Sequence, residues 1–165
     1  MATEKETSKT GSLAGKYLTF QLANEEYGIT IMKIREILGI METTMVPRMP
    51  DYVRGVINLR GKVLPVIDLR RKFGLPGVED TKHTCIIVID TMQTGIAALV
   101  GIIVDTVSEV VQIADADIDR GVTLGSQVDT SFILGMAKVK GDVRILLDID
   151  RILSFAELQH LSGAS

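Results

Sequence analysis

His83, His160 and Cys85 are the residues from which nucleophilic or metal chemistry would ordinarily be built, and they do not form a set. One cysteine and two histidines cannot supply a zinc constellation. Cys85 alternates into an apolar strand, the setting of an inert buried thiol rather than a nucleophile. Asp115, Asp117 and Asp119 are spaced like the start of a calcium loop. Its sixth position is Arg120 instead of Gly, and its twelfth is Ser126 instead of Glu. Gly55 to Lys62 imitates a phosphate loop, but the glycines are one residue too far apart and Val63 replaces the required hydroxyl. Asp68 and Asp148 occupy matching places and could form a carboxylate pair, yet helix N-capping explains each locally. What is left is a long cation, Arg60, beside Gly61 at a hairpin tip. Such a side chain can anchor an acidic or carbonyl-rich partner through several fixed donors.

These residues sit in a sequence that repeats itself. Gly55-Val56-Ile57-Asn58-Leu59-Arg60-Gly61-Lys62-Val63, continuing to Arg71, has a counterpart eighty residues later. There Gly135, Gly141, Val143, Asp148 and Arg151 recur in register, with Lys140 in the place of Arg60. Upstream, Gly28-Ile29, Ile31, Ile34 and Glu36-Ile37-Leu38 are answered by Gly101-Ile102, Val104, Val107 and Glu109-Val110-Val111. Two copies of one small unit are implied, with a seam where a binding groove can form.

Composition agrees with a β protein. Hydrophobic residues make up 46%, aromatics 4% and tryptophan none, so the core must be Val, Ile and Leu. A tail is expected at 1–15 and another at 156–165, around one domain at 16–155 with lobes near 16–80 and 81–155 between which strands can be exchanged. No apolar signal segment is visible, and the longest apolar run, Ile96 to Val104, is about half of the roughly 20 residues a membrane helix needs. A cytoplasmic protein without direct membrane insertion is the expectation. Arg48 to Lys72 carries seven basic residues against Asp51 and Asp68, yet the chain is acidic overall at −3. With no aromatics interleaved to stack bases, nucleic acid is not expected as a partner. An acidic protein patch is compatible.

Alternation places Leu18, Phe20 and Leu22 on one strand face, with a turn at Asn24-Glu25-Glu26 and a second strand through Tyr27, Ile29 and Ile31. Ile31, Ile34, Ile37 and Leu38 then fall on one side of a short helix. Strands at Val56–Leu59 and Val63–Ile67 flank a tight turn at Arg60-Gly61. Asp68 caps a short helix through Phe73. The second copy gives strands at Thr84–Ile89, Ala97–Val104 and Val107–Ile113, a polar loop from Ala114 to Asp129, and strands at Phe132–Val139 and Val143–Leu147. Asp148 caps the closing helix. About five strands per copy, hairpin-linked and closed by a helix, define a mainly β fold of two small barrels with short capping helices.

The run Arg54-Gly55-Val56-Ile57-Asn58-Leu59-Arg60-Gly61-Lys62-Val63-Leu64-Pro65-Val66-Ile67-Asp68-Leu69-Arg70 resembles the signature of the CheW family, the coupling proteins of bacterial chemotaxis. Glu26-Tyr27-Gly28-Ile29, Gly101 to Val107 and Gly141 to Asp148 match in order, so the resemblance runs from Lys16 to about Phe155. It implies two SH3-like five-stranded barrels and a non-enzymatic adaptor, without cofactor or metal. The implied role is to join the cytoplasmic tip of a chemoreceptor to the regulatory domain of the CheA histidine kinase, in arrays that can include mixed rings with CheA. Ending at Ser165, the chain is expected to be the stand-alone adaptor. By position, the resemblance puts Arg60, Glu36, Val110 and Cys85 on the receptor side. Ile34, Gly55 and Leu124 go to the kinase side. The family often has prolines after the strand ending near Ile113, where this chain has Asp115-Ala116-Asp117, and Cys85 stands where a larger aliphatic is common.

Overall fold

The computed structural model describes residues 12–93, 96–121 and 132–152. Among these described residues eleven strands make two sheets. β1 (Gly15–Leu22), β2 (Glu25–Thr30), β8 (Thr106–Ile113), β9 (Ile118–Asp119), β10 (Ile133–Val139) and β11 (Asp142–Leu147) form the first, in the order β8-β1-β2-β11-β10-β9. β3 (Ile34–Gly39), β4 (Val53–Leu59), β5 (Lys62–Asp68), β6 (Cys85–Gln93) and β7 (Ile96–Val104) form the second, in the order β3-β6-β7-β5-β4. The short helices α1 (Leu69–Lys72) and α2 (Ile149–Ile152) follow β5 and β11.

The two copies exchange strands reciprocally. Each sheet takes a leading hairpin from one copy and the remaining strands from the other. The joints are two matching parallel pairings, Val66 with Gly101 and Leu146 with Gly28, and two antiparallel ones, β1 with β8 and β3 with β6. Bonds within each copy repeat as well: the Asp68 amide donates to the Tyr52 carbonyl at 2.7 Å, and the Asp148 amide to the Phe132 carbonyl at 2.8 Å. Both aspartates cap their helices, accepting from the amides of Arg71 (3.4 Å) and Arg151 (3.3 Å). Capping accounts for the pair of carboxylates.

Three apolar clusters result. The largest lies between the sheets, with Leu18, Phe20, Leu22 and Ile29 from one and Ile67, Ile87, Ile89, Val100 and Ile102 from the other, covered by Leu69, Ile149 and Ile152 of the helices. A smaller cluster fills the concave side of each sheet, around Leu64 in the second and around Tyr17 and Leu146 in the first. Each buried Leu or Ile contributes about 1.5–3 kcal/mol. Four aromatics form a string across the seam, Phe20–Tyr27–Phe73–Phe132, with centroids 5.8, 5.8 and 4.9 Å apart.

The expected helix over Ile31 to Leu38 is a correction. Only Ile31–Lys33 turn, as one 3-10 turn capped by Thr30, and Ile34–Gly39 is the strand β3. A bulge explains the misleading period: Ile34 faces Ile89 but Glu36 faces Val88, so β3 carries an extra residue and its apolar spacing widens from two to three. The first hairpin turns at Ala23-Asn24, with φ of 51° and 70°, and not at Asn24-Glu25-Glu26. The expected polar loop after Ala114 contains a 3-10 turn and β9, which is why the first sheet has six strands.

The seam also has a polar lock. Asp105, at the β7–β8 corner, accepts from Arg70 Nε and Nη2 at 2.8 and 2.9 Å and from the Ala23 amide at 2.9 Å. Partial burial alone would raise its pKa, but the Arg70 and Ala23 hydrogen bonds outweigh that and hold it below the usual carboxylate value. A depressed carboxyl pKa stabilises the fold above the unfolded-state value and loses that stabilisation as pH falls through the folded one. Asp105→Asn is therefore expected to destabilise by about 1.5–3 kcal/mol at neutral pH, with the difference from the parent shrinking below about pH 4. Chemical denaturation at the two pH values measures it.

Candidate functional site

The β4–β5 hairpin closes with Leu59 opposite Lys62, leaving Arg60 and Gly61 as a two-residue loop. Both have positive φ, 51° and 87°, as a type I′ turn demands. The Asn58 side chain accepts the Gly61 amide at 2.9 Å and fixes the bend. Arginine is an unusual occupant of a left-handed position, where Asn or Gly is cheaper. Lys140-Gly141 repeats the geometry at 52° and 84°.

From this tip the Arg60 guanidinium grips the Glu36 carboxylate in a two-pronged ion pair, the second contact running from Nη1 to Oε2 at 3.4 Å. β3 and β4 are opposite edges of the second sheet, so this contact requires the sheet to curl into an open barrel. The pair lies across the mouth. Around it is a groove of about 400 Å3 with a floor of Leu59, Leu64, Val88 and Leu99 and a rim of Arg35, Glu36, Arg60 and Lys62. The hydrogen bond from Arg60 lowers the Glu36 pKa, and Glu36 raises that of Arg60. An exposed pair of this kind adds little to stability. Its consequence is orientation: a fork held at a fixed angle above apolar floor, in a rim with three cations to one carboxylate. Such a surface suits an acidic segment carrying apolar side chains.

The other sequence candidates are dispersed. Val110 is on β8, an edge of the first sheet, and is 54% exposed; the repeat relates it to Ile37 on β3, 44% exposed. Cys85 is half-buried and not an enclosed thiol; it begins β6 opposite Gly39 and Val104, and its S–H donates to the His83 carbonyl at 3.2 Å. Ile34 pairs with Ile89 and packs against the central cluster. Gly55, on β4, is packed from within the chain. It is buried, and the backbone against it is the chain's own Thr44, hydrogen-bonded to Val56 at 2.9 Å in both directions. Leu124 lies outside the described residues.

Sequence reasoning missed Arg35 and Lys62, which flank Glu36 and the Arg60 turn and complete the basic rim. Their signal was adjacency to the two residues already chosen. Also missed were the exposed side chains Met32, Met45 and Val63 at 86%, 82% and 67%. Among the described residues no group of three His, Cys, Asp or Glu side chains could hold a metal ion.

Two interleaved sheets, a mouth bridged by a surface ion pair and an apolar floor with a basic rim define a protein-binding scaffold. A family model described as CheW-like domain matches residues 16–157, and the chain belongs to that family. The chemotaxis protein CheW of Klebsiella aerogenes is 38% identical over 143 residues, spanning 87% of this chain and 84% of that protein. That of Bacillus subtilis is 37% identical over 142 residues, 86% and 85% of the two chains. The crystal structure of the scaffolding protein TtCheW from Thermoanaerobacter tengcongensis superposes with a TM-score of 0.76 at 32% identity, covering 88% of this chain and 96% of that one.

Proposed function

We propose that this chain is a non-enzymatic chemotaxis adaptor that couples the cytoplasmic tips of chemoreceptors to the regulatory domain of the CheA kinase and places kinase activity under receptor control. The observation that carries the reading is the Arg60–Glu36 pair over an apolar floor, in a chain of the CheW-like family. It has the anatomy of an interface, with a directional charged anchor beside apolar area. No nucleophile–base pair accompanies it in the groove, so binding is the chemistry on offer.

In this reading Arg60, Glu36 and the basic rim meet the receptor, with Val110 and Cys85 on the same partner. Ile34, Gly55 and Leu124 serve the kinase side, Ile34 and Gly55 by shaping β3 and β4 from within. The protein works in the cytoplasm at membrane-associated arrays. Its individual contacts are small, on the order of 1,200 Å2 or less, and are strengthened by multivalency. Co-sedimentation of CheA with receptor-containing membranes, with and without the chain, tests the reading. Recovery of kinase in the pellet together with raised autophosphorylation supports it, and absence of both with cognate partners removes it.

A further inference from the structure

The internal repeat gives the first sheet its own hairpin tip, Lys140-Gly141, over its own apolar cluster, the counterpart of the first mouth and so a second one by the repeat, and there one residue breaks the pattern. In the second sheet Leu64 pairs with Ile57 and is buried in the concave cluster at 2% exposure. Its counterpart in the first sheet, paired with Ala137, is Arg144. The arginine is buried almost as deeply, its side chain 7% exposed, and its strand partner Ala137 belongs to that sheet's apolar cluster. A guanidinium so placed should have its donors fully used. They are not. Nη2 is 3.8 Å from Glu109 and Nη1 is 3.7 Å from Asp142, both beyond hydrogen-bond range. Nε and Nη1 have no hydrogen-bond partner at all.

Both neighbouring carboxylates are on exposed side chains, at 44% and 73%, so either can turn to water. Glu109 corresponds to Glu36, and Lys140 to Arg60. The first mouth is bridged from outside by its hairpin arginine. In the second, the cation comes from inside and its nearest anion stands off.

We propose that the second mouth is a carboxylate-binding site, in which an Asp or Glu side chain of a protein partner takes the fork of Arg144 and displaces Glu109. A carboxylate matches the two parallel donors of a guanidinium edge. The apolar surroundings strengthen that contact once water is excluded. Stability and binding are then opposed at this position: the arginine costs the fold what leucine would not, and its donors are completed by a partner. The identity of the partner rests on the adaptor reading; the carboxylate site does not.

Two measurements decide it. In the nitrogen-15-labelled full chain, the Arg144 Nε–H resonance is assigned by its loss in Arg144→Leu and followed during titration with acetate, with sodium chloride at matched ionic strength as control. A saturable shift with acetate alone is expected; no shift, or the same shift with chloride, overturns the site. Second, Arg144→Leu is expected to melt about 3–8 °C higher than the parent, and a lower melting temperature overturns the opposition of stability and binding. Where the parent binds receptor and kinase, Arg144→Leu and Arg60→Ala should each weaken a different one of the two by tenfold or more. Both weakening the same one contradicts two separate mouths. A parent that binds neither removes the adaptor reading and leaves the acetate titration to judge the site.

Discussion

Gly55→Ala is expected to destabilise the fold by about 3 kcal/mol or more, lowering the melting temperature by roughly 6–12 °C. Gly55 has φ of 153°, a conformation side chains rarely adopt. A methyl group there would press on the Thr44 carbonyl, meeting its carbon at 2.9 Å and the Met45 amide nitrogen at 3.3 Å. Backbone on that side cannot yield cheaply, because the Thr44 and Val56 amides and carbonyls bond each other across the gap. Gly39→Ala is the control, since a methyl at Gly39 meets nothing within 4 Å, and it should melt within a degree or two of the parent. Calorimetric scans of the two variants measure the contrast. If Gly55→Ala melts like the parent, Thr44 is not the neighbour that matters and Gly55 returns as a direct contact residue.

Arg60→Ala is expected to do the opposite, leaving the melting temperature within about 2 °C while receptor affinity falls by tenfold or more. The ion pair it removes is exposed, Arg60 itself at 70%, and such pairs contribute little to stability. Anchoring arginines at interfaces commonly carry 2 kcal/mol or more, which is over tenfold in affinity. Glu36→Ala should lose less, because it frees the guanidinium without removing it. With three cations to one carboxylate on the rim, receptor affinity should also fall as salt rises. Binding of purified variants to receptor membranes at two ionic strengths measures both effects. Equal affinity for Arg60→Ala and parent would move the receptor site elsewhere.

Much of this architecture could be read before the structure. The glycines and aspartates repeating eighty residues apart foretold twin hairpins and twin capped helices, because turns and caps depend on local backbone geometry. The largest misreading, a helix over Ile31 to Leu38, has a physical reason. A bulge inserts a residue into β3 and turns an alternating pattern into one of threes. The repeat held the answer, since Val107 to Val111, its counterpart, was read as a strand. Strand exchange depends on long-range pairing of Val66 with Gly101 and Leu146 with Gly28, which leaves no local mark on the sequence. For the site, Arg60 and Glu36 were individually legible, but their contact across opposite sheet edges depends on curvature. Arg144 was visible only as a departure from Leu64, and its burial is a tertiary fact.

The adaptor account rests most directly on one experiment: sedimentation of CheA with cognate receptor membranes in the presence and absence of this protein, followed by autophosphorylation of the pelleted kinase. The account predicts that the protein brings kinase into the pellet and raises its activity there, and that Arg60→Ala, folded as well as the parent, does neither at the same concentration. Kinase that remains in the supernatant with the intact protein, at its basal activity, would contradict it.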